Sequence, residues 1–213
     1  DLSEVKHELI LQETLRNLYD GMPILEIDKA LIISARTLVE QDPNYTYATA
    51  RFLLRTLYTE ALDFLELPTA VYTNNHAGVY HHYFQHYIKR GVALELLDPQ
   101  LRSFDLEKLG KALLPERDQQ FTYLSLQTLY DRYFLHADDV RFELPQAFFM
   151  RIAMGLAQQE SNKEDRAIEF YQLLSSFDYM ASTPTLFNAG TLRPQLSSCF
   201  LTTVADDLDQ IYS

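Results

Sequence analysis

The 213-residue chain is 47% hydrophobic and carries 18 basic against 30 acidic residues, a net charge of −12. The hydrophobic content is typical of a globular protein with a sizeable core, and the acidity argues against a general nucleic-acid or anionic-membrane surface. The single cysteine excludes an internal disulfide, which is typical of a cytoplasmic protein. The longest apolar run falls short of the roughly 18 residues of a membrane-spanning helix. From the charge and these two features we expect a cytoplasmic protein without nucleic-acid or membrane partners.

Apolar residues recur at helical spacing through most of the first 175 residues. The pattern predicts helices over 2–19, 24–41, 44–65, 76–94, 101–114, 118–129, 144–159 and 161–176. The pairs Asp42-Pro43 and Leu67-Pro68 end the second and third of these, because the residue before proline is disfavoured in the α conformation. Asn44 is expected to cap the third helix, and Ser161 with Glu164 to form a capping box for the last.

Two segments break the helical pattern. His136 to Asp139 lies between short apolar runs, which predicts a small hairpin with Asp138-Asp139 in its turn. After Tyr179 the pattern becomes loop and strand. Leu196 to Val204 reads as a buried strand, and Asp206-Asp207-Leu208-Asp209 as the start of another helix.

Cys199 is the most informative side chain. It follows Ser197-Ser198 at the start of the predicted strand, and a loop punctuated by proline and glycine carries Thr183 and Thr185 towards it. A thiol beside hydroxyl groups suits a phosphorylated or hydroxylated substrate. The alternative is that Cys199 is a small buried hydrophobic side chain, which is the commonest fate of a free cysteine.

A histidine cluster, His81, His82 and His86, offers a different interpretation. His82 and His86 share one face of the predicted helix, and such a pair can bind zinc or iron. No third ligand at a characteristic spacing accompanies them. The surrounding aromatic residues favour ordinary core packing: Tyr80, Tyr83, Phe84 and Tyr87.

Taken together, the Thr-Pro loop, the Ser-Ser-Cys motif and the acidic helix start resemble the large (alpha) subunit of class I ribonucleotide reductase. The sharpest matches lie in residues 181–191, 195–201 and 206–209. Residues 144–153 and 171–179 resemble the helical domain of that family, and residues 20–51 resemble the end of its ATP-cone region and the segment next to it.

The resemblance implies a mostly α fold, in which a helical N-terminal domain leads into the first strand and loop of a ten-stranded α/β barrel. Residues 1–50 would be the remnant of an ATP-cone-like helical region, 51–179 the helical N-terminal domain and 180–213 the start of the catalytic barrel. The chain would be a fragment of a longer protein, inactive by itself.

The resemblance also implies an activity, the reduction of ribonucleoside diphosphates to deoxyribonucleoside diphosphates. In that family a thiyl radical abstracts the 3′-hydrogen and a pair of thiols supplies two electrons. Cys199 would be one thiol of this pair. Thr183 and Ser198, together with Cys199, would contact the substrate, and Asp206, Asp207 and Leu208 would begin an allosteric effector site.

The same family implies a set of partners. This chain would bind no metal or resident cofactor; the radical cofactor would belong to a separate small (beta) subunit, and dNTP and ATP would be effectors. Thioredoxin or glutaredoxin would supply electrons, and the full-length chain would form a homodimer. Three alternatives stay open: a helical regulatory or subunit-interaction module with a structural cysteine, an oxygen-independent or adenosylcobalamin-dependent reductase with the same motifs, and a metalloprotein built on His82 and His86.

Overall fold

A computed structural model describes residues 2, 4–68, 76–203 and 206–208. Within these residues the chain forms helices and one small sheet: α1 His7–Arg16, α2 Ile24–Thr37, α3 Tyr45–Phe64, α4 His76–Ala93, α5 Leu106–Ala112, α6 Tyr123–Arg132, β1 His136–Ala137, β2 Val140–Arg141, α7 Pro145–Ala157, α8 Lys163–Ser175 and α9 Thr183–Asn188. Short 3₁₀ turns occupy Leu38–Glu40, Pro99–Ser103 and Pro115–Gln120. The mostly α class is therefore confirmed.

The predicted helices over 24–41, 44–65, 76–94, 144–159 and 161–176 correspond to α2, α3, α4, α7 and α8. The helices predicted over 101–114 and 118–129 each divide into a 3₁₀ turn and a shorter α-helix. Pro99 and Pro115 each begin one of these turns, a position that suits proline because its fixed φ is already helical.

Both predicted N-caps are wrong. Asn44 is itself in a helical conformation, with φ −64° and ψ −21°, whereas a capping residue needs an extended one. Its backbone N–H instead donates to Asp42 Oδ1 at 2.8 Å. The capping box does not form either: α8 follows Asn162, and Glu164 Oε1 accepts from the backbone N–H of Asp105 at 3.3 Å.

Among the described residues, the hydrophobic core has two parts. The larger part surrounds α7, which is buried along most of its length and packs against α4 and α8. The smaller part joins α1, α2 and the first turn of α3. Helix α3 contributes to both and runs without a break across residues 50 and 51. None of the helices that the structure describes has the length and apolar character needed to cross a bilayer.

The predicted hairpin is confirmed, although its strands are short. β1 and β2 are antiparallel, with His136 opposite Arg141 and Ala137 opposite Val140. Asp138 and Asp139 form the turn at φ values of +50° and +64°. Positive φ at both central residues matches the right-handed twist of a two-residue hairpin, and aspartate tolerates this conformation better than most residues.

The strand predicted over Leu196 to Val204 is wrong for the residues that are described. Residues 196–203 contain no strand, and Phe200 and Leu201 are 71% and 102% exposed. A strand requires a paired backbone, and none of the described residues pairs with this segment. Val204 lies outside the described residues, and the barrel stays a prediction.

Candidate functional site

The Thr-Pro segment folds as a short helix rather than a loop. α9 begins at Thr183 after an extended Ser182, and Pro184 occupies its first turn, where no intrahelical N–H bond is lost. The hydroxyl groups of Ser182 and Thr185 lie 3.2 Å apart, and the exposed Thr183 stands between them in the sequence. Three hydroxyl groups therefore gather at the start of α9.

The opposite end of α9 is bound by Arg151 of α7. Its guanidinium donates to the carbonyl of Ala189 at 2.7 Å, to that of Leu186 at 3.2 Å and, at the 3.5 Å limit, to that of Phe187. The last carbonyl groups of a helix have no partner within the helix, so Arg151 satisfies acceptors that would otherwise be buried without a donor. Arg151 thus links α7 to the segment that carries Thr183.

Glu143 balances the charge of Arg151. Both side chains are fully buried, and Glu143 accepts from Arg151 through both carboxylate oxygens, at 2.7 Å and 3.3 Å. Tyr87 also donates to Oε1 at 2.5 Å, and the Leu135 backbone N–H donates to Oε2 at 2.9 Å. Burial alone would lower the pKa of Arg151, but the attraction of Glu143 outweighs it and the pKa is raised. Arg151 is therefore charged, and both side chains of the pair are hydrogen-bonded.

A tyrosine face on α4 holds the segment 142–146, which leads into α7. The face consists of Tyr80, Tyr83 and Tyr87, all buried and spaced by three or four residues. The Tyr83 hydroxyl donates to the Phe142 carbonyl at 2.5 Å and accepts from the Leu144 backbone N–H at 2.9 Å. The Tyr87 hydroxyl donates to Glu143 at 2.5 Å. The Tyr80 hydroxyl accepts from the Gln146 backbone N–H at 3.1 Å. Burial raises the pKa of each tyrosine well above its usual 10.0, so these hydroxyl groups remain protonated donors.

The turn after α9 is pressed against α7. A Cβ atom on Gly155 would lie 2.2 Å from the backbone nitrogen of Gly190, so no larger residue fits. Gly190 has a φ of +75°, which glycine adopts without strain. Its carbonyl accepts from the Asp98 backbone N–H at 3.0 Å, and Thr191 forms a β-bridge with Leu97. The turn is thereby held by α7 on one side and by Leu97 and Asp98 on the other.

Tyr133 supports the start of α9 from the side. Its ring stacks on Phe187 with centroids 4.5 Å apart and an interplanar angle of 15°. Its hydroxyl lies 3.4 Å from Thr183 Oγ1. Tyr133 is therefore the described residue whose hydroxyl meets that of Thr183.

The segment before Cys199 is tied to α9, but Cys199 itself is not. Thr185 Oγ1 donates to the Leu196 carbonyl at 3.2 Å, and Asn188 Nδ2 donates to that of Gln195 at 2.8 Å. Ser198 and Cys199 are exposed, and within the described chain no hydrogen bond joins either of them to Thr183. These bonds place α9, which carries Thr183, beside the segment that leads to Ser198 and Cys199.

The remaining predicted residues lie on the surface. Asp206, Asp207 and Leu208 are exposed, with a bend at the two aspartates and Leu208 helical; Asp209 lies outside the described residues. His82 and His86 are exposed on α4, and His86 Nδ1 lies 2.8 Å from the His82 carbonyl. Among the residues whose positions are described, no three or more His, Cys, Asp or Glu side chains are arranged to hold a metal ion.

Sequence reasoning missed Glu143, Arg151 and Tyr133. A signal for the first two was present: each is a charged residue between apolar neighbours, Phe142 and Leu144 for the acid, Met150 and Ile152 for the base. A charge within an apolar run is seldom fully buried unless a partner neutralises it. Tyr133 had no such signal, because a tyrosine near a hairpin is common in any sequence.

A second buried polar cluster centres on Asp118. Its carboxylate accepts from Tyr58 at 2.5 Å, from Tyr80 at 2.8 Å and from the Gln146 side chain at 2.7 Å. Tyr171 donates to the same Gln146 side chain at 2.7 Å. Burial raises the pKa of Asp118 to about 6, although the three hydrogen bonds partly oppose this. The cluster connects α3, α4, α7 and α8.

We expect Asp118 to make the stability of the chain fall as pH rises. Its folded pKa of about 6 exceeds the usual 3.8, so the folded state binds the proton more tightly, and this stabilisation is lost as pH rises through about 6. Urea unfolding of wild type and Asp118→Asn should be compared at several pH values. The wild-type free energy of unfolding, relative to the variant, should fall by about 2 kcal/mol between roughly pH 4.5 and 7.5. A difference that stays flat or rises with pH would contradict the assignment.

Residues 119–194 match the family described as ribonucleotide reductase, all-alpha domain. The chain is 44% identical over 205 residues to the ribonucleoside-diphosphate reductase subunit alpha of Chlamydia muridarum, covering 96% of this chain and 19% of that protein. The alpha subunit of Helicobacter pylori is 39% identical over 197 residues (91% and 23%), and the large subunit of vaccinia virus is 31% identical over 207 residues (95% and 25%). The chain thus spans about a fifth to a quarter of the length of these relatives.

Proposed function

The chain belongs to the ribonucleotide reductase large-subunit family, and on that premise we propose that it forms part of a class I enzyme that reduces ribonucleoside diphosphates to deoxyribonucleoside diphosphates. The observation that carries the proposal is the 44% identity over 96% of the chain with a ribonucleoside-diphosphate reductase alpha subunit. The match includes α7 and α9, the two elements that present and hold Thr183.

Cys199 is proposed as one thiol of the redox pair. In this role Cys199 and a second thiol of the full-length enzyme are oxidised to a disulfide, and their two electrons and two protons reduce the substrate as its 2′-hydroxyl leaves as water. A dithiol donor such as thioredoxin or glutaredoxin then reduces the disulfide. The exposed position of Cys199 supports this role over that of a buried hydrophobic side chain.

Thr183 and Ser198 are proposed as substrate contacts, with Cys199 beside them. Both hydroxyl groups are exposed, and a hydroxyl can donate to a phosphate or sugar oxygen without adding charge. Thr183 stands at the first position of a helix that Arg151 and Tyr133 hold in place. Such prior ordering lowers the entropy lost when a substrate binds.

Regulation and assembly are part of the same proposal. Asp206, Asp207 and Leu208 would begin the site for a nucleotide effector (dNTP or ATP), and their exposure leaves them accessible to one. The full-length chain would act as a homodimer with a separate radical-generating small subunit, which carries the radical cofactor.

The full-length protein with its small subunit should reduce a ribonucleoside diphosphate in the presence of a dithiol donor. Activity that requires the small subunit would favour class I over the oxygen-independent and adenosylcobalamin-dependent reductases. No product despite a verified radical in the small subunit would refute the proposal and favour the helical interaction module.

We expect Thr183→Val to raise the KM for the ribonucleoside diphosphate about tenfold, the effect of losing one hydrogen bond to a charged group. The substitution removes the hydroxyl and keeps the branched shape, so the fold should persist. Thr59→Val is the matched control, since Thr59 is an exposed helical threonine of α3 whose hydroxyl contacts only its own helix. The KM for the ribonucleoside diphosphate is measured for both variants by steady-state kinetics. A KM for Thr183→Val equal to that of the control would remove Thr183 from the substrate site.

A further inference from the structure

We propose that Arg151 is a positioning residue of the reductase, which orders the substrate-facing hydroxyl groups by holding α9 at its C-terminal end. The inference rests on the proposed function, because it assumes that Thr183 meets the substrate. It goes beyond that function in assigning a role to a buried side chain that does not contact the substrate itself.

Every nitrogen of the Arg151 guanidinium donates a hydrogen bond. Nε and Nη2 bind Glu143, while Nη1 and Nη2 reach the α9 carbonyls, of which Ala189 is nearest at 2.7 Å. One planar group therefore joins α7 and the acidic residue before it to the end of α9. A lysine could not replace it, because an ammonium is a compact charge without the rigid, forked donor set of arginine.

Helix α9 is short. It has six residues, and isolated helices of that length are not stable in water. Its own hydrogen bonds include those from Leu186 to Ser182 at 3.0 Å and from Ala189 to Thr185 at 3.0 Å. External contacts must therefore determine where α9 lies, and Arg151 supplies those at its C-terminal end.

Arg151 and Glu143 are both completely buried, which is costly unless each charge is neutralised and hydrogen-bonded. Hydrophobic residues of similar volume could fill the same space without that cost. What they could not do is bind the carbonyl groups of α9, so the polar arrangement is explained by the attachment of α9.

The Arg151 contacts would affect the reaction by setting the position of the Thr183 hydroxyl. Thr183 is separated from Leu186 by less than one helical turn, so a shift of the C-terminal end of α9 moves its hydroxyl as well. Binding and catalytic groups lose much of their effect when displaced by about 1 Å. Loss of the Arg151 contacts should therefore weaken substrate binding while the chemistry of Cys199 is retained.

The test uses the full-length enzyme with its small subunit and two variants, Arg151→Lys and the double variant Glu143→Gln/Arg151→Met. The double variant removes both charges together, so that no unpaired charge is buried if the single variant folds poorly. Arg166→Lys is the matched control, because Arg166 is a partly exposed arginine of α8 that pairs with Glu160 and Glu169. Backbone hydrogen exchange and steady-state kinetics are measured on each.

The expected result is exchange at least tenfold faster at the amides of Leu186, Ala189 and Thr191, with exchange in α7 unchanged. The KM for the ribonucleoside diphosphate should rise about tenfold or more in both variants, with a smaller change in kcat. The Arg166→Lys control should match wild type in both measurements.

Three results would overturn the assignment: unchanged exchange in α9, exchange that rises equally through α7 and α9, or faster exchange in α9 with an unaltered KM. The second of these would mean that Arg151 serves the stability of the whole fold. If wild type itself reduces no ribonucleoside diphosphate, the proposed function has failed, and the exchange data alone then decide whether Arg151 holds α9.

Discussion

Replacing Cys199 with serine in the full-length enzyme is expected to abolish repeated reduction of ribonucleoside diphosphates. A serine hydroxyl occupies nearly the same space as the thiol but cannot form a disulfide, so it cannot deliver the electron pair that the substrate requires. We expect turnover with a dithiol donor to fall on the order of a thousandfold or more, as when one member of a catalytic unit is removed in other enzymes. Because Cys199 is exposed, the fold should not depend on it.

The measurement is deoxyribonucleotide formation over many turnovers, with wild type and variant given the same small subunit and the same radical content. Thr203→Ser provides the matched control, since it changes an exposed side chain of the same segment by one methyl group. Loss of activity in Cys199→Ser alone would support both the family activity and the redox role. Equal activity in both variants would keep the reductase and remove Cys199 from the redox pair.

Replacing Glu143 with alanine is expected to produce the largest loss of stability. The change leaves the guanidinium of Arg151 buried without its counter-charge, and it removes the acceptor of Tyr87 and of the Leu135 backbone N–H. Removing one partner of a buried ion pair costs about 3–5 kcal/mol, because the remaining charge stays out of water. The loss should therefore take a large part of the stability of an ordinary domain.

Urea unfolding of the 213-residue chain at neutral pH measures this loss. Glu107→Ala is the control, because Glu107 pairs with Lys111 in α5 and both side chains are about 60% exposed. Such exposed pairs contribute little to stability, because water screens the attraction between the two charges. If Glu143→Ala lowered the free energy of unfolding no more than this control does, the buried pair would not support the fold.

Local patterns in the sequence were sufficient for the long helices. Periodic apolar residues predicted α2, α3 and α4 within a few residues, because each of these helices buries one face and the spacing of that face is visible in the chain. The same spacing predicted α7, although nearly every side of that helix is buried. The hairpin was predicted from Asp138-Asp139, since two adjacent turn residues between short apolar runs leave few other conformations.

Side-chain capping and long-range pairing were not predicted correctly. The expected side-chain caps at Asn44 and Ser161 did not form: α3 begins directly after Asn44 without a side-chain bond from it, and Asn162 rather than Ser161 directly precedes α8. The expected strand at Leu196 failed because a strand exists only beside another strand, and the segment pairs with none of the residues described.

Some residues of the candidate site were predicted from the sequence, and others became visible only in the folded chain. The sequence, through its family resemblance, predicted which residues would face a substrate, namely Thr183, Ser198 and Cys199, and this stays a prediction. Only the tertiary structure revealed how Thr183 is held, because Glu143 and Arg151 meet Tyr87, a residue 56 positions away from Glu143 in the chain. A sequence records where a charge falls within an apolar run. Whether that charge can be buried depends on a partner that only folding brings within hydrogen-bond distance. For this reason the sequence did not predict that Glu143 and Arg151 hold the segment that carries Thr183.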